Sequence, residues 1–194
     1  MKTVRFLPGA WEDAGLTYAY SRRFPQLPRF RQEEDSIANS PSETGPAGYD
    51  YLGLLGPETG ADGAEISVRC SFEGNGAPMI VLSMENETDG EGVLRTLEYY
   101  EVVIWKNGLN VWRHRTRERQ VTWKQILGAS FPLEAGVVHT LTCAVRGEHL
   151  EAEVDGRRFR LYVPDLAGEN GAGRLRAGCT ACEGICRLYE MTFC

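Results

Sequence analysis

From Glu65 to Phe72 apolar and polar residues alternate: Ile66, Val68, Cys70 and Phe72 on one side, Glu65, Ser67, Arg69 and Ser71 on the other. A period of two puts the sets on opposite faces of a half-buried strand. Gly74-Asn75-Gly76 then interrupts the pattern before the apolar run Met79-Ile80-Val81-Leu82, which predicts a hairpin. Further strand patterns run over 97–105, 110–116, 137–146, 149–154, 157–163, 174–179 and 187–193, separated by turn signals such as Asn107-Gly108 and Asp155-Gly156. Shorter strand-like fragments, 16–20 and 30–37, lie in an irregular N-terminal segment, 1–48, with prolines at 8, 25, 28, 41 and 46. About a dozen short strands without an amphipathic helix predict an all-β chain, an antiparallel β-sandwich or barrel. No repeat or linker divides the 194 residues, so one domain is expected, with segment 1–48 packed on it.

The most informative stretch is Tyr99 to His114. Asn107-Gly108 at its centre favours a two-residue type I′ turn, since both turn residues need positive φ. With that turn Trp105 faces Asn110, Val103 faces Trp112 and Glu101 faces His114. Tyr100, Val102, Ile104 and Val111 share the other face, apolar enough to be core. The outward face then carries Glu101, Trp105, Asn110, Trp112 and His114, with Tyr99 at its end. Indoles in a row on a wet sheet call for a ligand or a cover. A sugar meets the chemistry: its axial C–H groups lie on an indole while Asn, Glu and His hydrogen-bond its hydroxyls.

Composition narrows the alternatives. The formal charge of −6 gives no electrostatic reason to bind phosphate backbones, so no nucleic-acid partner is expected. No stretch approaches the roughly 18 apolar residues of a membrane helix, so no membrane partner is expected. The N-terminal residues contain no secretory apolar run, and the chain is read as cytoplasmic. Arg113, Arg115, Arg117 and Arg119 form an alternating basic ladder that suits either an anionic sugar or, with Glu98 near Arg117, a surface ion-pair network. Cys179, Cys182 and Cys186, spaced C-x2-C-x3-C, admit a metal, a disulfide or plain thiols; the lack of a second paired knuckle favours thiols. Neither a metal nor a cofactor is expected.

The run Phe131-Pro132-Leu133, Gly136, His139-Thr140-Leu141, Cys143, Val145, Gly147, Leu150, Ala152, Val154-Asp155-Gly156 resembles the pattern of concanavalin A-like lectin/glucanase domains. Laminin-G-like and 3-keto-glycoside hydrolase-like domains share it, and Tyr100-Glu101-Val102-Val103-Ile104 is similar to a strand of the latter group. The resemblance implies a jelly-roll sandwich with a ligand on the concave sheet, and an oligosaccharide or polysaccharide partner. The fold carries lectins, hydrolases and adhesion modules alike. Three functions follow as expectations. The first is a carbohydrate-binding domain using Tyr99, Glu101, Trp105, Asn110, Trp112, His114 and Trp123. The second is a glycoside hydrolase-like enzyme with Glu101 as acid or base and His114 setting its protonation. The third is an interaction module whose Trp-bearing face binds another protein or a second copy. The Glu-x-Asp-x-x-Glu strand of the glucanase branch is absent, and no partner carboxylate for Glu101 is evident.

Overall fold

The computed structural model describes residues 1–21, 29–40, 52–118, 120–168 and 173–194. In chain order the strands begin β1 (Lys2–Arg5), β2 (Thr17–Ser21), β3 (Arg31–Gln32), β4 (Ile37–Ala38) and β5 (Leu52–Gly60). They continue with β6 (Glu65–Phe72), β7 (Ala77–Thr88), β8 (Leu94–Trp105), β9 (Gly108–Arg117) and β10 (Gln120–Ser130). The last are β11 (His139–Arg146), β12 (His149–Val154), β13 (Arg157–Tyr162), β14 (Arg174–Cys182) and β15 (Cys186–Phe193), with one helical turn, α1 (Pro164–Ala167), before β14. The all-β sandwich expectation holds, with fifteen strands among the described residues.

One sheet runs β13-β12-β11-β6-β15-β4-β3, with β1 on β15; the other runs β10-β9-β8-β2-β5-β14-β7. Between them lies a single large core. Ile66, Val68 and Cys70 of the first sheet meet Ile80, Leu82, Tyr100, Val102, Ile104 and Val111 of the second. Each fully buried aliphatic side chain here contributes roughly 1.5–3 kcal/mol. Val4, Phe6, Phe30 and Ile37 enter the same core, so parts of the N-terminal segment are integral to it. Residues 41–48 of that irregular segment lie outside the described residues, as does Arg119.

The hairpin expected from β6 to β7 does not form. β6 pairs with β11 and β15, whereas β7 pairs with β14 and β8, so the Gly74-Asn75-Gly76 segment carries the chain from one layer to the other. Gly76 is wedged there: a Cβ would stand 2.8 Å from the Ile185 carbonyl oxygen and 2.9 Å from Cys186 Sγ. Asp155-Gly156 does form a tight turn, with positive φ at both residues. Asp155 also receives His139, whose Nδ1 lies 2.6 Å from Oδ2, which joins the His and Asp-Gly parts of the sequence pattern physically.

The second sheet is curled. β8 pairs with β7, β7 with β14, β14 with β5, β5 with β2, and β2 returns to β8 in a short parallel pairing at Leu94–Thr96. These five strands therefore close a circuit. Ala19, Leu55, Val81 and Tyr99, from four of them, pack together inside it, apart from the sandwich core. Their face is the concave one.

Candidate functional site

β8 and β9 are joined by Lys106 and Asn107, and Gly108 already belongs to β9. Neither linking residue has positive φ; Gly108 has, at 139°. The type I′ expectation is thus corrected. The reason is β10, which lies so close that a Cβ on Gly108 would stand 1.9 Å from the Ala129 carbonyl oxygen. Asn107 and Lys106 carbonyls accept from Phe131 and Leu133 N–H, which anchors the link to that neighbour. The pairs are consequently Trp105 with Gly108, Val103 with Asn110, Glu101 with Trp112, and Tyr99 with His114. The expected pairs are each displaced by two residues. A displacement of two leaves every side chain on its expected face.

That face lines a cavity of about 280 Å³, just below the roughly 300–1,000 Å³ of small-molecule sites. Trp105, Asn110, Trp112 and Trp123 line it together with Glu101 and His114. Six of the seven expected residues thus converge. Tyr99 does not reach this cavity; its ring lies flat against His114, centroids 4.6 Å apart, and its hydroxyl donates to Ser21 Oγ of β2 at 3.1 Å. Trp123 stands at the rim, 49% exposed, opposite His114 on β10. Met79 and Val103 add an apolar floor, and Glu183 a second carboxylate.

The wet face expected for Glu101, His114 and Tyr99 is corrected: all three are buried, Glu101 and His114 each at 2% exposure. They lie where the curl tightens toward the closed circuit, and Glu101 lines both the cavity and the small hollow beside Tyr99. His114 Nε2 is 2.8 Å from Glu101 Oε2. The contact expected between these two therefore exists, made diagonally across the strands. Glu101 Oε1 is buried with no hydrogen-bond partner among the described residues, and so is Trp105 Nε1. A desolvated carboxylate oxygen left unsatisfied costs about 1–3 kcal/mol or more, which a ligand donor would recover. Asn110 Oδ1 accepts from Gln125 Nε2 at 3.0 Å, which fixes that amide's orientation.

Glu183 was not legible as a site residue. It sits in the turn between β14 and β15 at φ 61°, a left-handed conformation unfavourable for a side-chain-bearing residue. Only the pairing of β14 with β7 brings it to the cavity. Cys182, also at the cavity, is one of six free thiols. Burial pushes the thiols of Cys179 and Cys186 up to about 12, and raises those of Cys70 and Cys143 as well. No group of three or more metal-ligating side chains occurs among the described residues.

Behind the cavity, on the opposite face of β8 and β9, stands an ionic cluster. Glu98 accepts from Arg113 Nη2 at 2.7 Å, Arg115 Nε at 2.6 Å and Arg117 Nη2 at 2.8 Å. Asp165 of α1 pairs with Arg113 and accepts the Tyr100 hydroxyl at 3.0 Å. Arginines fall on the core row because the strands run past the sandwich edge there; β8 and β9 pair without a bulge, and the irregularity lies in β10 between Gln125 and Leu127. Burial, then the nearby Asp165 charge, raises the Tyr100 phenol.

No family model matches the chain, and no curated protein matches it in sequence. Its fold does match solved structures. The carbohydrate-binding module CBM66 from Bacillus subtilis superposes with a TM-score of 0.59 at 10% identity, over 92% of this chain and 94% of that one. A β-agarase A in complex with oligoagarose gives 0.61 at 9% identity, over 99% and 82%. The CBM2 module of an evolved Dit protein of Lactobacillus casei BL23 phage J-1 gives 0.60 at 12% identity, over 99% and 94%. At such identities the likeness concerns the fold alone, an all-β sandwich of two sheets, as the sequence resemblance implies.

Proposed function

We propose that the chain is a carbohydrate-binding domain that holds a glycan in the aromatic cavity of its concave sheet. One observation carries this reading: three indoles, an amide, an imidazole and a carboxylate converge on one cavity of about 280 Å³. Indole faces suit the apolar side of a pyranose, and Asn110, His114 and Glu101, which line the same cavity, carry polar groups of the kind its hydroxyls bond. Structures of the same fold named for carbohydrate binding and for a complex with oligoagarose support it. The test is a glycan array probed with the wild-type protein and Trp112→Ala. Binding that the substitution abolishes is the expected result. Binding that survives it places the ligand elsewhere, and the absence of binding to any glycan overturns the reading.

A hydrolase-like variant of this reading draws on a specific feature, the second carboxylate that Glu183 brings to the cavity of Glu101. Ordinary glycoside hydrolysis uses two such groups, one as acid and one as nucleophile or base. In that case chromogenic glycosides are turned over and Glu101→Gln abolishes turnover while binding persists. No turnover across the panel leaves the binding function alone.

A further inference from the structure

We infer that the glycan carries a protonated amine: the cavity is built for an amino sugar rather than a neutral or acidic one. The inference rests on the carbohydrate-binding reading and names the ligand class. Its first support is the balance of charge. Two carboxylates, Glu101 and Glu183, line the cavity, and among the described residues no lysine or arginine does. On the hairpin, Arg113 belongs to the opposite face, and its guanidinium is engaged by Glu98 and Asp165. An acidic sugar would meet these carboxylates with repulsion, and no bidentate cation among the described residues lines the cavity to receive its own carboxylate.

The second support is Glu101 itself. It is 98% buried, as its 2% exposure states, and only one oxygen is taken, by the His114 ring. Oε1 is buried and without a hydrogen-bond donor among the described residues. A neutral hydroxyl supplies an ordinary donor, whereas an ammonium group donates a charge-assisted hydrogen bond, roughly twice as strong to a carboxylate. The third support is aromatic. Trp105, Trp112 and Trp123 line the same space, and an indole face attracts a cation by about 0.5–1 kcal/mol when exposed and about 2 or more when desolvated. Glu183 at the mouth adds the second negative charge, held there in a backbone conformation that glycine would adopt more easily.

The experiment is calorimetric titration of the whole chain with three tetrasaccharides of matched length: fully deacetylated glucosamine, its N-acetylated form and neutral glucose. A buffer at about pH 6 keeps the amine protonated and an ordinary carboxylate ionised. Glucosamine oligomers are expected to bind at least about tenfold more tightly than either neutral form, a difference of about 1.4 kcal/mol. That margin shrinks as salt is raised, and it is lost in Glu183→Gln, whose side chain is exposed and whose replacement leaves the core untouched. Glu101→Gln removes the margin too, and circular dichroism shows whether that variant is folded; if it is not, Glu183→Gln and the salt series decide. Neutral glycans binding equally well or better, with binding lost in Trp112→Ala, overturn the amine inference and leave the carbohydrate-binding reading standing. If no glycan binds, both fall.

Discussion

Replacing Glu98 by Gln tests whether the ionic cluster behind the cavity is structural. The substitution keeps the side chain's size and removes the charge that three guanidiniums share at 2.6–2.8 Å. The Glu98 side chain is 10% exposed and that of Arg113 is 21%, so water screens this pair poorly. Removing one partner of a buried pair costs about 3–5 kcal/mol because the other charge is stranded. Here Asp165 still holds Arg113, and Arg115 and Arg117 reach solvent, which places the expected loss near 3 kcal/mol, at the low end of that range. For a chain of this size each kcal/mol lowers Tm by about 2–4 °C, so thermal unfolding should shift down by about 6–12 °C. Arg117→Gln is the internal control. Its side chain is 62% exposed, and losing its pairs should cost under about 1 kcal/mol. A Glu98→Gln shift no larger than that of Arg117→Gln would show the cluster to be ordinary surface charge and refute the argument.

Gly108→Ala should lower the urea midpoint by the equivalent of about 3 kcal/mol or more, because the new methyl meets the Ala129 carbonyl at a positive φ; an unchanged midpoint would show that β10 yields freely. Stability should fall as pH rises above about 9. Unfolded thiols ionise near 8.5 while the folded pKa values of Cys179 and Cys186 stand at about 12, so the unfolded state loses protons first and each such thiol costs about 1.4 kcal/mol per pH unit. Urea midpoints at pH 8 and 10 check this, and equal midpoints contradict it. Glu183→Gly should raise stability by up to about 1 kcal/mol by relieving the left-handed backbone, while weakening glycan binding; a lower Tm would show that the residue is not strained.

Period-two alternation made the faces of β8 and β9 readable, and it did so even though the turn was placed one residue late. Pairing shifted by two preserves the side on which Glu101, Trp105, Asn110, Trp112 and His114 fall. Register itself was set by β10, a strand with mostly exposed positions on both faces and therefore no alternation to read. β5 was missed for another reason, since Gly53, Gly56 and Pro57 interrupt its pattern. Local turn chemistry between β6 and β7 showed that the chain bends but not that it changes layer. Burial of Tyr99, Glu101 and His114 follows from the curl, which depends on β2 meeting β8 some 75 residues away in sequence, a contact that no local window contains. Glu183 reaches the cavity through an equally distant pairing.

Closure of the curl also bears on how copies of the molecule meet. Within that sheet β2, β5, β7, β8 and β14 each have neighbours on both sides, and among the described residues β10 is the strand paired along one side only, with β9. An unpaired flank is where a foreign strand can dock and seed assembly. β10 meets this hazard with Lys124 and with the irregularity between Gln125 and Leu127, both of which disfavour strand addition. β10 is thus a guarded margin, the same margin from which Trp123 overlooks the cavity.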